Sequence, residues 1–103
     1  MAEKISPQEA RQEVQSGKAL LVCAYEDEER YKKVRLEGAI SLKEFRNKEQ
    51  DLSKDQEIIF YCAWHNDATS ARVAESFEAQ GFSNVKVLAG GVNAWINAGY
   101  PVL

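Results

Sequence analysis

The apolar residues of this chain fall into two kinds of run, and the two kinds alternate. One kind is short and unbroken. Ala19-Leu20-Leu21-Val22-Cys23-Ala24 is such a run, and Glu57-Ile58-Ile59-Phe60-Tyr61-Cys62 is the clearest strand in the sequence. Unbroken apolarity means that both faces of a strand are covered, as in the middle of a parallel sheet. Gly38-Ala39-Ile40-Ser41-Leu42 reads as a shorter strand, and Asn84 to Leu88 alternates toward a last one. The other kind of run is spaced for a helix. Ala71, Ala74, Phe77 and Glu78, with Val73 beside them, form an apolar stripe with a polar back, running from a cap at Thr69 or Ser70 to about Gln80.

Punctuation agrees with this reading. Ser6-Pro7-Gln8-Glu9 places an N-cap serine, a proline at the first helical position and a glutamate at the third. Gly17 stops that helix and Gly81 stops the striped one. Gly90-Gly91 turns into a final helix carrying Val92 and Trp95, which ends near Gly99. Glu26 to Lys33 is highly charged and reads as a short exposed helix or loop, and Lys43 to Gln50 is polar around Phe45. Trp95, Phe60, Phe77 and Leu88 read as core. Strands alternating with helices predict an α/β fold: right-handed crossovers and a parallel sheet with helices on both faces. Such sheets take their ligands beyond the carboxyl ends of the strands, which singles out the segment after Cys62.

Composition narrows the classes. The 103 residues make a single domain, 1–103, and the hydrophobic 45% and charged 28% are ordinary for a globular protein. No apolar run is long enough to span a membrane, and the first residues, Met1-Ala2-Glu3-Lys4, lack the pattern of a signal peptide, so the expected location is cytoplasmic. Thirteen basic and sixteen acidic residues give a net charge of -3. Nucleic-acid binders usually carry a basic face, so no nucleic-acid partner and no membrane partner is expected. Two cysteines and one histidine are too few for a structural zinc site without carboxylates, so no metal and no cofactor is expected. Two cysteines without an export signal read as reduced thiols.

Cys62 is the residue with chemistry. It ends a buried strand and precedes a helix by a short loop. In that position backbone N–H groups of the loop and first helical turn lack intrahelical partners. They can surround a sulfur anion, and the helix dipole adds to them. A cysteine so placed is a candidate nucleophile, or else a small buried hydrophobe. Two enzyme classes use the layout. Tyrosine-phosphatase-like sites place an arginine six residues after the cysteine to clamp phosphoryl oxygens. Here that residue is Ala68, and Arg72 falls within the helix. Sulfur transfer, which needs a nucleophilic sulfur and a cradle for a persulfide, remains.

The chain resembles the single-domain rhodanese-like proteins. The matching residues are Ile5-Ser6-Pro7 with Glu9, Leu20-Leu21-Val22, Glu37-Gly38-Ala39-Ile40, Tyr61-Cys62, Ser70-Ala71 with Ala74, Gly81-Phe82, Val85, Leu88, Gly90-Gly91-Val92, Ala94-Trp95 and Gly99-Tyr100-Pro101-Val102. The resemblance implies a five-stranded parallel sheet, a cysteine that carries sulfane sulfur as a persulfide, and transfer of that sulfur to a thiol, cyanide or other acceptor. The chain departs from the family pattern in places. Where family members carry Asp-x-Arg after the second strand, this chain has Cys23-Ala24-Tyr25, and the family's histidine before the Gly-Ala strand is matched by Arg35. The loop Ala63-Trp64-His65-Asn66-Asp67-Ala68-Thr69 is longer than the family's common short loop and has no lysine or arginine. Asp67 disfavours a thiosulfate dianion, so a less charged persulfide donor is the alternative.

The expected site is therefore Cys62 as nucleophile, with Ala63, Trp64, His65, Asn66, Asp67, Ala68 and Thr69 as the persulfide-binding loop. Ser70, Arg35 and Cys23 are possible auxiliaries. His65 can assist proton transfer, because imidazole titrates near neutrality. Trp64 can shield a persulfide or cap the core edge. Thr69 and Ser70 can donate hydroxyls to the sulfur while capping the helix. Cys23 can resolve a Cys62 persulfide or serve as a packing thiol, and Arg35 can supply the positive charge the loop lacks. The expected partners are a small sulfur donor and a thiol or protein sulfur acceptor. The alternatives are a non-enzymatic sulfur-carrier, sensing or docking module, and a Cys23/Cys62 thiol redox protein.

Overall fold

The structure is a computed structural model that describes residues 2–63 and 68–103. Its strands are β1 (Glu3–Ile5), β2 (Ala19–Cys23), β3 (Ala39–Ile40), β4 (Glu57–Tyr61) and β5 (Val85–Leu88). Its helices are α1 (Pro7–Gln15), α2 (Glu28–Lys33), α3 (Leu42–Lys48), α4 (Ala68–Ala79) and α5 (Gly91–Asn97). The strands form one parallel sheet in the order β1-β5-β4-β2-β3. The most apolar runs are the most enclosed. All five residues of β4 are buried, and β4 lies between β2 and β5.

Local chemistry explains the boundaries. Ser6 Oγ accepts from the Glu9 N–H at 3.2 Å, which caps α1. Asp27 takes the Glu29 N–H at 2.9 Å and turns the charged segment into α2. The third strand is shorter than its apolar run suggests. It stops at Ile40 because Ser41 starts a helix: its hydroxyl accepts the Glu44 N–H at 3.1 Å, and Glu44 reaches back to the Ser41 N–H at 3.4 Å. This capping box makes Leu42 and Phe45 the buried side of α3. Helix α4 begins at Ala68, so Thr69 and Ser70 sit inside its first turn rather than at its cap.

Each face of the sheet has its own core. One face joins Val22, Ile58, Phe60, Val85 and Val87 to Leu42 and Phe45 of α3 and to Ala74 and Phe77 of α4. Phe60 stacks on Phe77 at 5.4 Å, and Phe45 meets Phe77 edge-on at 5.1 Å. The other face joins Leu21, Cys23, Ile59, Tyr61 and Leu88 to Ala10 of α1, Tyr31 of α2 and Trp95 of α5. Trp95 Nε1 donates to the Pro101 carbonyl at 2.9 Å, and Val102 bridges to Leu36, which fastens the end of the chain beside the α2–β3 connection.

Candidate active site

Strands β2 and β4 pair so that Cys23 lies opposite Tyr61. The two central strands therefore run out together, and the residues just beyond them gather at one end of the sheet. Cys62 is the first residue past β4, and its carbonyl accepts the Val92 N–H of α5 at 3.1 Å. Gly90 and Gly91 bring that N–H into place with φ of 76° and 58°, a left-handed region that costs a non-glycine residue about 1–2 kcal/mol. A Cβ on Gly90 would meet Ala94 Cβ at 2.7 Å as well.

The Cys62 sulfur is held from the helix side. Its Sγ lies 3.4 Å from Ser70 Oγ in the first turn of α4, and Ser70 is itself buried. The placement of Ser70 thus brings one of the expected auxiliaries to the sulfur. Cys62 is 1% exposed, so the sulfur is covered in this conformation. The Ala63 N–H, expected in a sulfur cradle, donates instead to the Tyr25 hydroxyl at 3.0 Å. Ala68 and Thr69 belong to the first turn of α4. Trp64, His65, Asn66 and Asp67 lie outside the described residues.

Tyr25 occupies the position where the family pattern has arginine, and its ring carries the guanidinium of Arg30 at 3.9 Å. Tyr25, Arg30, Lys33, Val34 and Ala63 line a cleft of about 170 Å³ that ends on the residue after Cys62. Among the described residues, the positive charge lining this cleft comes from α2. Arg35 lies past the end of α2, exposed, with its guanidinium 5.8 Å from the Tyr31 ring, and it does not line the cleft. Sequence reasoning missed Arg30 and Lys33, because a mixed charge run looks like a solvated surface.

Cys23 sits on the Tyr61 side of the sheet, fully buried in the core under α1, α2 and α5. Burial pushes its thiol above the usual range, against smaller opposing hydrogen bonds from the Tyr25 backbone and the Tyr61 side chain, with the nearby Cys62 sulfur and Arg30 adding still smaller effects of opposite sign. A thiol kept protonated in this way is a poor nucleophile at neutral pH. Among the described residues no group of His, Cys, Asp or Glu side chains could hold a metal ion. No helix among them is long and apolar enough to cross a membrane.

The Rhodanese-like domain family model matches residues 6–98. The chain belongs to the rhodanese-like family. Solved structures of rhodanese-like proteins share the fold over nearly the whole chain. The rhodanese-like domain of the Alr3790 protein from Anabaena is 20% identical with a TM-score of 0.81, covering 100% of this chain and 80% of that one. A thiosulfate sulfurtransferase from Pseudomonas aeruginosa is 18% identical with a TM-score of 0.82, covering 99% of this chain but 20% of its own length. The RPA3614 protein from Rhodopseudomonas palustris, of unknown function and described as a possible tyrosine phosphatase, is 21% identical with a TM-score of 0.78, covering 99% and 85%. No curated protein matches the sequence.

Proposed function

We propose that this rhodanese-like domain is a sulfurtransferase working through a Cys62 persulfide. The observation that carries the reading is the position of Cys62: past the carboxyl end of the buried central strand, with its sulfur against the Ser70 hydroxyl of the next helix. The Cys62 thiolate attacks the sulfane sulfur of a small donor, the donor's remaining fragment leaves with the bonding electrons, and Cys62 holds the persulfide. A thiol or protein acceptor then takes the outer sulfur. The Ser70 hydroxyl, fixed in α4, donates to the thiolate that forms and re-forms in this cycle. Two half-reactions of this kind give ping-pong kinetics. Thiol chemistry of this sort suits a reducing compartment such as the cytoplasm. The possible phosphatase activity ascribed to the Rhodopseudomonas protein does not transfer well, because Ala68 stands where the phosphate-clamping arginine would be.

A second reading is favoured by the 1% exposure of Cys62. On that reading the domain docks a partner or carries sulfur to it, and small acceptors do not reach the sulfur. One experiment separates the two. Intact-mass measurement after incubation with thiosulfate or a persulfide should show one added sulfur on the wild type and none on Cys62→Ala. Turnover of the loaded sulfur by cyanide or a small thiol supports the enzyme. Loading without such turnover supports the carrier, and a wild type that no donor loads ends both sulfur readings.

A further inference from the structure

The cleft beside Cys62 has a lining that bears on the donor. Among the described residues its charged side chains are both basic, Arg30 and Lys33. The chain as a whole has a net charge of -3, and of the acidic residues around α2, Glu26, Asp27 and Glu29 are engaged elsewhere, while the exposed Glu28 does not line the cleft. Glu29 pairs with Lys32 at 3.7 Å, Glu26 pairs with Arg46 at 3.0 Å, and Asp27 caps the helix. Among the described residues neither Arg30 nor Lys33 makes an ion pair. The Arg30 guanidinium lies on the Tyr25 ring, an arrangement that leaves its N–H edge for an anion. The other described residues of the lining are Tyr25, Val34 and Ala63, which suit carbon rather than charge. The volume of about 170 Å³ is enough for a small organic body, since an apolar cavity of about 150 Å³ holds a benzene ring.

Resting on the sulfurtransferase reading, we infer that Arg30 and Lys33 set the donor class of this site, and that the donor is an organic persulfide bearing a carboxylate. The carboxylate meets the two cations, the carbon body lies against Tyr25 and Val34, and the persulfide end lies at Ala63, next to Cys62, whose buried sulfur does not itself line the cleft and has to be uncovered for the transfer. The transfer balances without an added oxidant. The Cys62 thiolate bonds to the terminal sulfur of R–S–SH, the donor's S–S bond breaks, R–S⁻ leaves with the electron pair, and Cys62–S–SH remains. No net oxidation or reduction occurs. A compact dianion such as thiosulfate has no carbon body with which to use the apolar wall.

The test uses two donors of equal length, the persulfides of 3-mercaptopropionate and of 3-mercaptopropan-1-ol, which differ in a terminal carboxylate against a hydroxyl. Loading of Cys62 is followed by intact mass at low ionic strength. The wild type should load the carboxylate donor about tenfold faster, two exposed ion pairs being worth roughly that much. The preference should shrink toward unity in R30Q/K33Q, persist in R30K, invert in R30E/K33E and weaken with added salt. K33Q alone, at an exposed position, should lower it partway. Equal loading of the two donors by the wild type, or a preference unchanged in R30Q/K33Q, would overturn the inference and leave the persulfide reading standing. Thiosulfate loading faster than both persulfides, with the same dependence on Arg30 and Lys33, would overturn the organic donor. No loading by any of the three would overturn the sulfurtransferase reading itself.

Discussion

The two faces of the sheet are built from different materials. The face under α3 and α4 is a phenylalanine cluster: Phe45 and Phe77 each meet the other and both Phe60 and Phe82, with ring centroids 5.1–6.1 Å apart. The face under α1, α2 and α5 uses aromatic rings with polar ends, and those ends hold backbone. Tyr31 donates to the Ala39 carbonyl at 2.9 Å, Tyr61 to the Val34 carbonyl at 3.0 Å, and Tyr25 accepts from Ala63 at 3.0 Å. Dispersion and burial on the first face have little direction, so they make a core without aiming anything. The hydroxyls on the second face tie α2 and its connection to β3 to the end of the sheet where Cys62 lies. Damage to the first face should therefore cost stability, and damage to the second should cost geometry at the site.

The largest effect tests the first face. Phe45 is fully buried among three other rings, and Phe45→Ala should cost about 3–5 kcal/mol in denaturant unfolding. The fraction that stays folded should load sulfur at the wild-type rate. A loss below about 1 kcal/mol, or a rate that falls while the protein remains folded, would break the contrast between the faces.

Tyr61→Phe comes next and probes the second face. The hydroxyl is buried, donates to Val34 and accepts the Leu36 N–H at 3.4 Å, so its removal leaves two backbone groups without their partner. A cost of about 1–3 kcal/mol is expected. Burial and the neighbouring Cys23 thiol also push the phenol well above its ordinary range, so the folded protein holds this proton more tightly than the unfolded chain does. The advantage of the wild type over Tyr61→Phe should therefore be level below about pH 10, where an unfolded tyrosine starts to ionise, and shrink as the pH rises above it. An advantage that stays level or grows on alkaline titration would show that burial does not hold the phenol protonated.

Much of this arrangement is readable in the chain, and the parts that are not share a cause. The Ser6-Pro7 cap, the runs at β2 and β4 and the Gly-Gly entry to α5 are local or strongly patterned, so they announce themselves. Strand β1 does not, because it is an edge strand with a single buried residue, Ile5, and its pairing to β5 joins opposite ends of the sequence. The Ser41 cap carried its own signal, a glutamate three residues on, hidden behind the apolar residues before it. For the site, Cys62 and Ser70 were legible as a strand end and a helix start. The cations were not, because which side of a charged helix faces the cleft is decided by how Tyr31 and Val34 pack, not by the charges themselves. Tyr25 was within reach of argument. Counting two residues on from the Cys23–Tyr61 pair sets Tyr25 beside Ala63.

That last pair offers the smallest stability effect and the sharpest division between the faces. Tyr25→Phe keeps the ring under Arg30 and removes one hydroxyl from a half-buried hydrogen bond, which should cost about 0.5–1.5 kcal/mol. The peptide that loses its anchor is the one following Cys62, and small displacements of reacting groups carry large rate penalties, so on the sulfurtransferase reading Cys62 loading should slow by about tenfold. Phe82→Leu, a modest loss in the phenylalanine cluster, is the matched control. It should cost about as much stability and leave loading unchanged. If the two variants slow loading equally, the rate follows stability alone and the tyrosine face has no special hold on the site. If Tyr25→Phe slows loading while Phe82→Leu does not, the difference measures what one directed hydrogen bond adds beyond packing.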